Sequence, residues 1–178
     1  MKVIIITGTP GTGKTTLAKK IAKQKNFLYI DGKAVIKSAK LDRKYDKKRN
    51  CFIIDERKFV KELIKIIENI KRSNEERRNS DNKKKNFLVK RKEEKYLQQI
   101  KKQQIKGIII DSHLSQFLPK KYVDLCIVTK TELKTLQKRL LKRKYSKEKI
   151  RENLDAEIFD VCLEEAREQG HKIKIVFT

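Results

Sequence analysis

Val3-Ile4-Ile5-Ile6-Thr7, followed directly by Gly8-Thr9-Pro10-Gly11-Thr12-Gly13-Lys14-Thr15, is the stretch that decides the architecture of this chain. An unbroken β-branched run suits a strand covered on both faces, as in a parallel sheet. The spacing Gly8-x4-Gly13-Lys14-Thr15 then has a physical use. The glycines let the backbone curl so that successive N–H groups point inward at a phosphate. A helix opening at Thr15 adds the positive end of its dipole. Lys14 reaches the outer phosphates as a point charge, and the Thr15 hydroxyl is placed to bind Mg²⁺. The motif alone arises by chance, but a buried strand before it and a helix after it give the context that a phosphate-binding loop requires. Gly11, Thr12, Gly13, Lys14, Thr15 and Thr16 are the expected nucleotide contacts.

Outward from this loop, strand and helix patterns alternate. A helix is expected from about Thr15 to Lys25, with Leu17, Ile21 and Ala22 on one face. A short strand follows at Phe27–Ile30, then a turn at Asp31-Gly32 and a weak helix to about Ala39. Leu41 to Asn50 is polar and reads as loop, and Cys51 to Ile54 is a third apolar run. Glu56 to Ile70 places Phe59, Val60, Leu63, Ile66, Ile67 and Ile70 at helical spacing. Residues 71–106 break the pattern: 14 Lys or Arg against 5 Asp or Glu give this stretch a charge of +9. Its first half reads as mobile, and its few apolar residues support one amphipathic helix near the end. Strands are expected again at Gly107–Asp111, Asp124–Thr129 and Ile173–Phe177. Between them lie a helix carrying Leu133, Leu136 and Leu140 and ending near Arg143, a break at Lys144-Tyr145-Ser146, and one long helix from Lys147 to Glu168. That helix presents Ile150, Leu154, Ile158 and Val161 on one face and stops at Gly170. The expectation is an α/β P-loop NTPase fold: one domain over residues 1–178, with a mainly parallel five-stranded sheet flanked by helices.

The bulk composition narrows the partners. Apolar residues make up 38% of the 178 residues, charged residues 39%, and the formal net charge is +24. A charge of that size favours anionic partners, nucleotide and RNA among them; heavy lysine use on solvated faces is the plainer alternative. Cys51, Cys126 and Cys162 are an odd, dispersed set, so they read as reduced thiols, and with only His113 and His171 beside them no zinc site is expected. The first residues already read as strand and not as a signal peptide. Apolar runs of about five residues fall far short of a membrane span. A soluble, cytoplasmic protein without membrane contact is the expectation.

The second half of a metal site should be an acid at the end of a neighbouring strand. Asp111, after Ile108-Ile109-Ile110, is in that position and can hold Mg²⁺ through a water; a turn cap before Ser112 is the alternative. His113, two residues on, sits in the loop at the strand end, where a near-neutral imidazole can orient an attacking water. Arg139 and Arg143, four apart, share a helix face and can neutralise charge on a moving phosphoryl group.

These residues stand in a recognisable order. The loop, the segment from Tyr45-Asp46 through Asp55-Glu56, the triplet Asp111-Ser112-His113, and Arg139-Leu140-x2-Arg143-x-Tyr145-Ser146-x2-Lys149-Ile150-x2-Asn153 together closely resemble the small adenylate kinases linked to ribosome assembly. Those occur in archaea and as a nuclear isoenzyme in eukaryotes. The resemblance covers nearly the whole chain except about residues 71–106. It implies phosphoryl transfer from ATP, with Mg²⁺, to AMP, together with ATPase activity. It also implies a role in maturing small-subunit ribosomal RNA through a small-subunit ribosomal protein. The charge, not the resemblance, suggests rRNA contact through the basic surface, with 71–106 as a basic arm or, equally, a solvated loop. The resemblance implies an AMP-side region at about 31–54, with Asp31, Lys37 and Asp55 as contacts, and a short lid at about 142–152. For Asp55-Glu56 a helix N-cap and first-turn acid serve equally well. The chain departs from the pattern in carrying Lys37 where an arginine is usual, Lys144 where a glycine is usual, and the 71–106 insertion; relatives also continue beyond the position of Thr178 into a last helix.

Lys14, Asp111, His113, Arg139 and Arg143 are thus the expected catalytic group, with Arg143 also touching the nucleotide and Thr15 and Asp111 holding the metal. Two other readings stay open. One is an ATPase assembly factor whose turnover releases a ribosomal protein, with kinase activity incidental. The other is a kinase of another small metabolite, in which a hydroxyl acceptor calls for a carboxylate base such as Asp31.

Overall fold

A computed structural model describes residues 1–42, 44–46, 51–79 and 105–178. Its elements run β1 (Lys2–Thr7), α1 (Lys14–Lys25), β2 (Leu28–Asp31), α2 (Gly32–Ser38), β3 (Lys44–Asp46), β4 (Cys51–Ile53), α3 (Glu56–Asn79), β5 (Gly107–Asp111), two 3-10 turns (Ser115–Phe117 and Lys120–Tyr122), β6 (Leu125–Lys130), α4 (Leu133–Lys142), α5 (Lys147–Ile158), α6 (Val161–Glu168) and β7 (Ile173–Phe177). Five strands form one sheet in the order β2-β5-β1-β6-β7, every neighbouring pair parallel.

The β-branched runs do what an all-parallel sheet asks of them. Alternate residues of β1 enter opposite layers: Val3 and Ile5 pack with Phe59, Leu63, Ile67 and Leu163, while Ile4 and Ile6 pack with Ala18 and Ala22 of α1. Helices cover both faces, so neither face of β1 or β5 meets water. The register aligns Ile6 with Asp111 and with Ile127, and Asp31 with Asp111. The carboxyl ends of β2, β5, β1 and β6 therefore lie side by side, where ligands of parallel sheets collect.

The structure departs from the sequence expectations in four places. Within the stretch expected to be loop, Lys44–Asp46 is a strand, paired antiparallel with Cys51–Ile53. The hairpin is outside the main sheet, and its rings Tyr45 and Phe52, the strongest apolar signals there, are exposed. The helix expected to end at Ile70 runs on to Asn79, so residues 71–79 of the charged stretch are helical. Asn74 explains the continuation: its carboxamide donates to the carbonyl of Ile105 (2.8 Å) and accepts from the Ile105 N–H (3.3 Å). The remainder of the half expected to be mobile, and the amphipathic helix expected near the end of the stretch, fall on residues outside those described.

The long helix expected over Lys147–Glu168 is two helices. Asp160 adopts left-handed φ +55° between α5 and α6 and pairs with Lys130. The turn swings Ile158 and Val161 off the apolar face, and both are exposed. Leu133 is exposed too; α4 buries Leu136 and Leu140, which join Ile150, Tyr145 and Leu154 in a small cluster of their own.

Candidate functional site

β1 ends at Thr7 and the chain curls at once. Gly8, Gly11 and Gly13 take φ of +135°, +102° and +78°, conformations that side chains other than glycine rarely adopt. Space forbids a side chain as well: a Cβ on Gly8 would lie 2.4 Å from the Thr129 carbonyl oxygen, and one on Gly11 2.7 Å from Leu136 Cδ1. The loop is thus seated on the end of β6 and on α4. A buried chain of hydroxyls pins it. Thr129 Oγ1 donates to Thr7 O (3.2 Å) and shares a 2.7 Å hydrogen bond with Thr12 Oγ1, which lies 2.8 Å from Thr9 O.

Lys14 opens α1. Its ammonium folds back onto the loop, donating to Gly8 O (2.6 Å) and Thr9 O (3.0 Å). Burial strips it of water and lowers its pKa to about 8; the positive field of Arg143 acts in the same direction, and Cys162, Asp111 and Glu157 oppose it. Thr15 and Thr16 stand in the first turn of α1, both exposed beside the loop.

Asp111 is buried at the end of β5. The Tyr29 hydroxyl donates to its Oδ2 (2.9 Å), so the carboxylate is oriented by a side chain from β2 rather than spent as a turn cap. A hydroxyl at Thr15 and one carboxylate at Asp111 are hard oxygen donors, too few for a closed cage. That fits a Mg²⁺ ion carried by substrate phosphates and touched by one or two protein groups. No group of three or more His, Cys, Asp or Glu that could hold a metal occurs among the described residues.

His113 follows in the loop. Its imidazole has open surface, yet the surrounding atoms deprive it of water on its inner side, and Lys14 and Lys33 add positive field. Its pKa is pushed down to about 4, so the ring is neutral at pH 7.

Arg139 Nη1 donates to Gly11 O (3.2 Å) and Thr178 Oγ1 (3.2 Å). It therefore braces the outer side of the loop. Arg143 is the exposed C-cap of α4, and its charge is felt at Lys14. On the other side of the sheet end, Asp31 caps α2 by accepting from Lys33 N–H (2.9 Å). Lys37 is exposed in the last turn of α2. Asp55 accepts from Lys58 N–H (3.1 Å) and pairs with the Lys58 ammonium (3.4 Å); these bonds hold its carboxyl below the usual carboxylate range, the backbone N–H most of all. It does the work of a helix cap at the start of α3.

Tyr29, Thr129 and Gln116 escaped the sequence reading. A signal existed for Thr129: it is a polar residue at the carboxyl end of a strand expected to flank β1. Tyr29 lies in a four-residue strand, and Gln116 in a loop, where spacing carries no such information.

A five-stranded parallel sheet whose first strand feeds this loop, with a carboxylate at the end of the adjacent strand, defines a P-loop nucleotide-binding protein of the nucleoside monophosphate kinase type. The AAA domain family model matches residues 4–160. The adenylate kinase isoenzyme 6 homolog of Dictyostelium discoideum is 34% identical over 173 residues, which is 97% of this chain and 78% of that protein. The homolog of Schizosaccharomyces pombe is 35% identical over 165 residues, 93% of this chain and 74% of that protein. The chain belongs to the adenylate kinase isoenzyme 6 family. The solved structure of a sugar kinase from Janibacter sp. HTCC2649 aligns with a TM-score of 0.50 at 15% identity, covering 99% of this chain and 85% of that one; the likeness concerns the fold alone.

Proposed function

We propose that this chain transfers a phosphoryl group from Mg²⁺-bound ATP to AMP, giving two molecules of ADP. The observation that carries this reading is the junction, at the carboxyl ends of adjacent parallel strands, of the Gly8–Thr15 loop, the Lys14 ammonium and the oriented Asp111 carboxylate. An AMP phosphate oxygen is already ionised near neutral pH and needs no general base. In-line transfer then demands positioning and charge neutralisation. The loop amides of Gly11, Thr12 and Gly13 and the first-turn hydroxyls of Thr15 and Thr16 hold the donor phosphates. Lys14 leaves the carbonyls of Gly8 and Thr9 to meet them. Mg²⁺, when bound, neutralises charge on the phosphate oxygens, and Thr15 and Asp111 are the groups that steady it. Arg139 and Arg143 bring positive charge from the lid side. Asp31, Lys37 and Asp55 border the acceptor; the two carboxylates carry helix-capping bonds, and Lys37 is the cation of the set that meets the AMP phosphate.

A second reading rests on the connection between α4 and α5, only four residues long, 143–146. A lid this short excludes water poorly, and His113, neutral at pH 7, can orient a water towards the donor phosphate. ATP hydrolysis without AMP follows. In that reading turnover serves small-subunit rRNA maturation in the cytoplasm by acting on a small-subunit ribosomal protein, with the basic surface resting on RNA.

Measuring ATP consumption with and without AMP, then with ribosomal protein, separates the two. ADP formed in proportion to AMP supports the first; phosphate release without AMP, raised by the partner, supports the second. Asp111→Ala is expected to depress both activities, and His113→Ala to depress hydrolysis more than transfer. If neither variant changed either activity, the roles given to these residues would be wrong.

A further inference from the structure

Gln116 lies three residues beyond His113, on the first 3-10 turn, and is buried at 1% exposure. It takes no part in the chemistry above, yet both ends of its carboxamide are committed. Oε1 accepts from the Thr7 hydroxyl (2.6 Å), and Nε2 donates to Glu165 Oε2 (2.8 Å). Its main-chain oxygen lies 2.8 Å from His171 Nε2; a carbonyl can only accept, so that nitrogen carries the hydrogen. Thr7 is the last residue of β1 before the phosphate loop, and Glu165 lies on α6. One side chain therefore joins three things: the loop that carries Asp111 and His113, the origin of the phosphate loop, and the helix pair that follows the lid.

The polarity of this bridge is fixed. Turning the amide over would set its oxygen against a carboxylate oxygen, so Glu165 dictates which end faces Thr7. The amide in turn orients the Thr7 hydroxyl towards itself. The Thr7 carbonyl is held from the opposite side by Thr129. The last peptide of β1 is thereby gripped on both flanks, and Gly8, the first curl of the loop, inherits its place from that grip. Both ends of the Gln116 carboxamide are paired in this buried network, and one reversed dipole within it costs more than an equal change at the surface.

We propose that Gln116 is a positioning residue for the phosphate site: a bridge of fixed polarity from Glu165 to Thr7 that holds the Asp111–His113 loop in register with the phosphate loop. The role in catalysis rests on the kinase reading, whereas the role in nucleotide binding does not.

Changing amide to carboxylate tests polarity without changing shape. In Gln116→Glu, acceptor faces acceptor at Glu165. In the reversed pair Q116E/E165Q, the amide now at position 165 can donate to the carboxylate now at position 116, which still accepts from Thr7. Calorimetry of MgATP binding gives an affinity that a loss of folded protein would not move, since such a loss lowers the apparent stoichiometry instead. The expected result is a dissociation constant raised about tenfold in Q116E, mainly recovered in Q116E/E165Q, with Thr7→Val weakening binding in the same direction as Q116E. With AMP added, kcat/KM for MgATP falls in Q116E and returns in the reversed pair, while KM for AMP stays put. A Q116E affinity equal to the parent, or a reversed pair no better than Q116E, overturns the proposal. If the parent binds MgATP but makes no ADP from AMP, the kinase reading fails alone and the calorimetric comparison still decides the bridge.

Discussion

At the scale of single residues, Lys14 carries a consequence that can be measured. In the free protein its ammonium rests on two carbonyl oxygens, and burial lowers its pKa from 10.5 to about 8. A polyphosphate favours the charged form and draws the pKa back up. Binding of MgATP above pH 8 must therefore take up a proton, and affinity must fall as pH rises beyond 8. Titration in two buffers of different ionisation heat reads the uptake directly; the expected value approaches one proton near pH 9, and none would show that Lys14 is already charged there. The sign for folding is opposite. Between about pH 8 and 10.5 the unfolded chain keeps a proton that the folded free protein has released, so this group alone makes stability rise with pH across that window. His113 contributes no charge near neutrality, since its pKa lies near 4.

At the scale of elements, the turn between α4 and α5 holds avoidable strain. Lys144 sits at φ +57°, the left-handed position that follows a helix C-terminus, with its N–H on Leu141 O (2.8 Å) and that of Tyr145 on Leu140 O (3.4 Å). Glycine takes this conformation without cost, and the exposed lysine loses no packing on removal. Lys144→Gly is expected to stabilise the protein by about 0.5–1 kcal/mol after the entropy of a freer unfolded chain is counted, raising Tm by about 1–4 °C; a lower Tm would refute this account of the turn. What the sequence disclosed and what it hid divide along the same line. β1, β5 and the phosphate loop were legible because their chemistry is local: Ile108-Ile109-Ile110 can only be a strand buried on both faces, and Gly8 to Thr15 carry their own geometry. The Asp160 break was not legible, because the pair it makes is with Lys130, 30 residues away. Nor was the place of Arg139, whose partner Gly11 is 128 residues distant, nor the extension of α3, which depends on Asn74 meeting Ile105. The strand at Lys44–Asp46 pairs outside the main sheet, and the exposed Tyr45, Phe52 and Ile53 give no alternation of buried residues to read.

At the scale of the whole molecule, the net charge of +24 sets the conditions for every binding event. Residues 80–104 hold nine Lys or Arg against three Asp or Glu, a net +6, so the rest of the chain retains +18. The boundary of α3 shows how to test this stretch. Removing 71–106 whole would take out Asn74 and Ile105, both buried, and so damage the core. Replacing only 80–104 by a short glycine–serine link leaves both in place. If the stretch is an arm for RNA, each phosphate contact it makes to a single strand contributes about 0.7 to the slope of log affinity against log salt. Loss of about three to five contacts then makes that slope shallower by about 2–4, with MgATP affinity unchanged. An unaltered slope would remove the arm from RNA binding and turn attention to the exposed cations of the lid side, Lys138, Lys142, Lys144 and Lys147, whose field also falls on the phosphate site. The nucleotide measurement is what separates the cases: RNA held by the arm leaves the dissociation constant of MgATP where it was, whereas RNA on the lid side competes with the nucleotide for the same positive field.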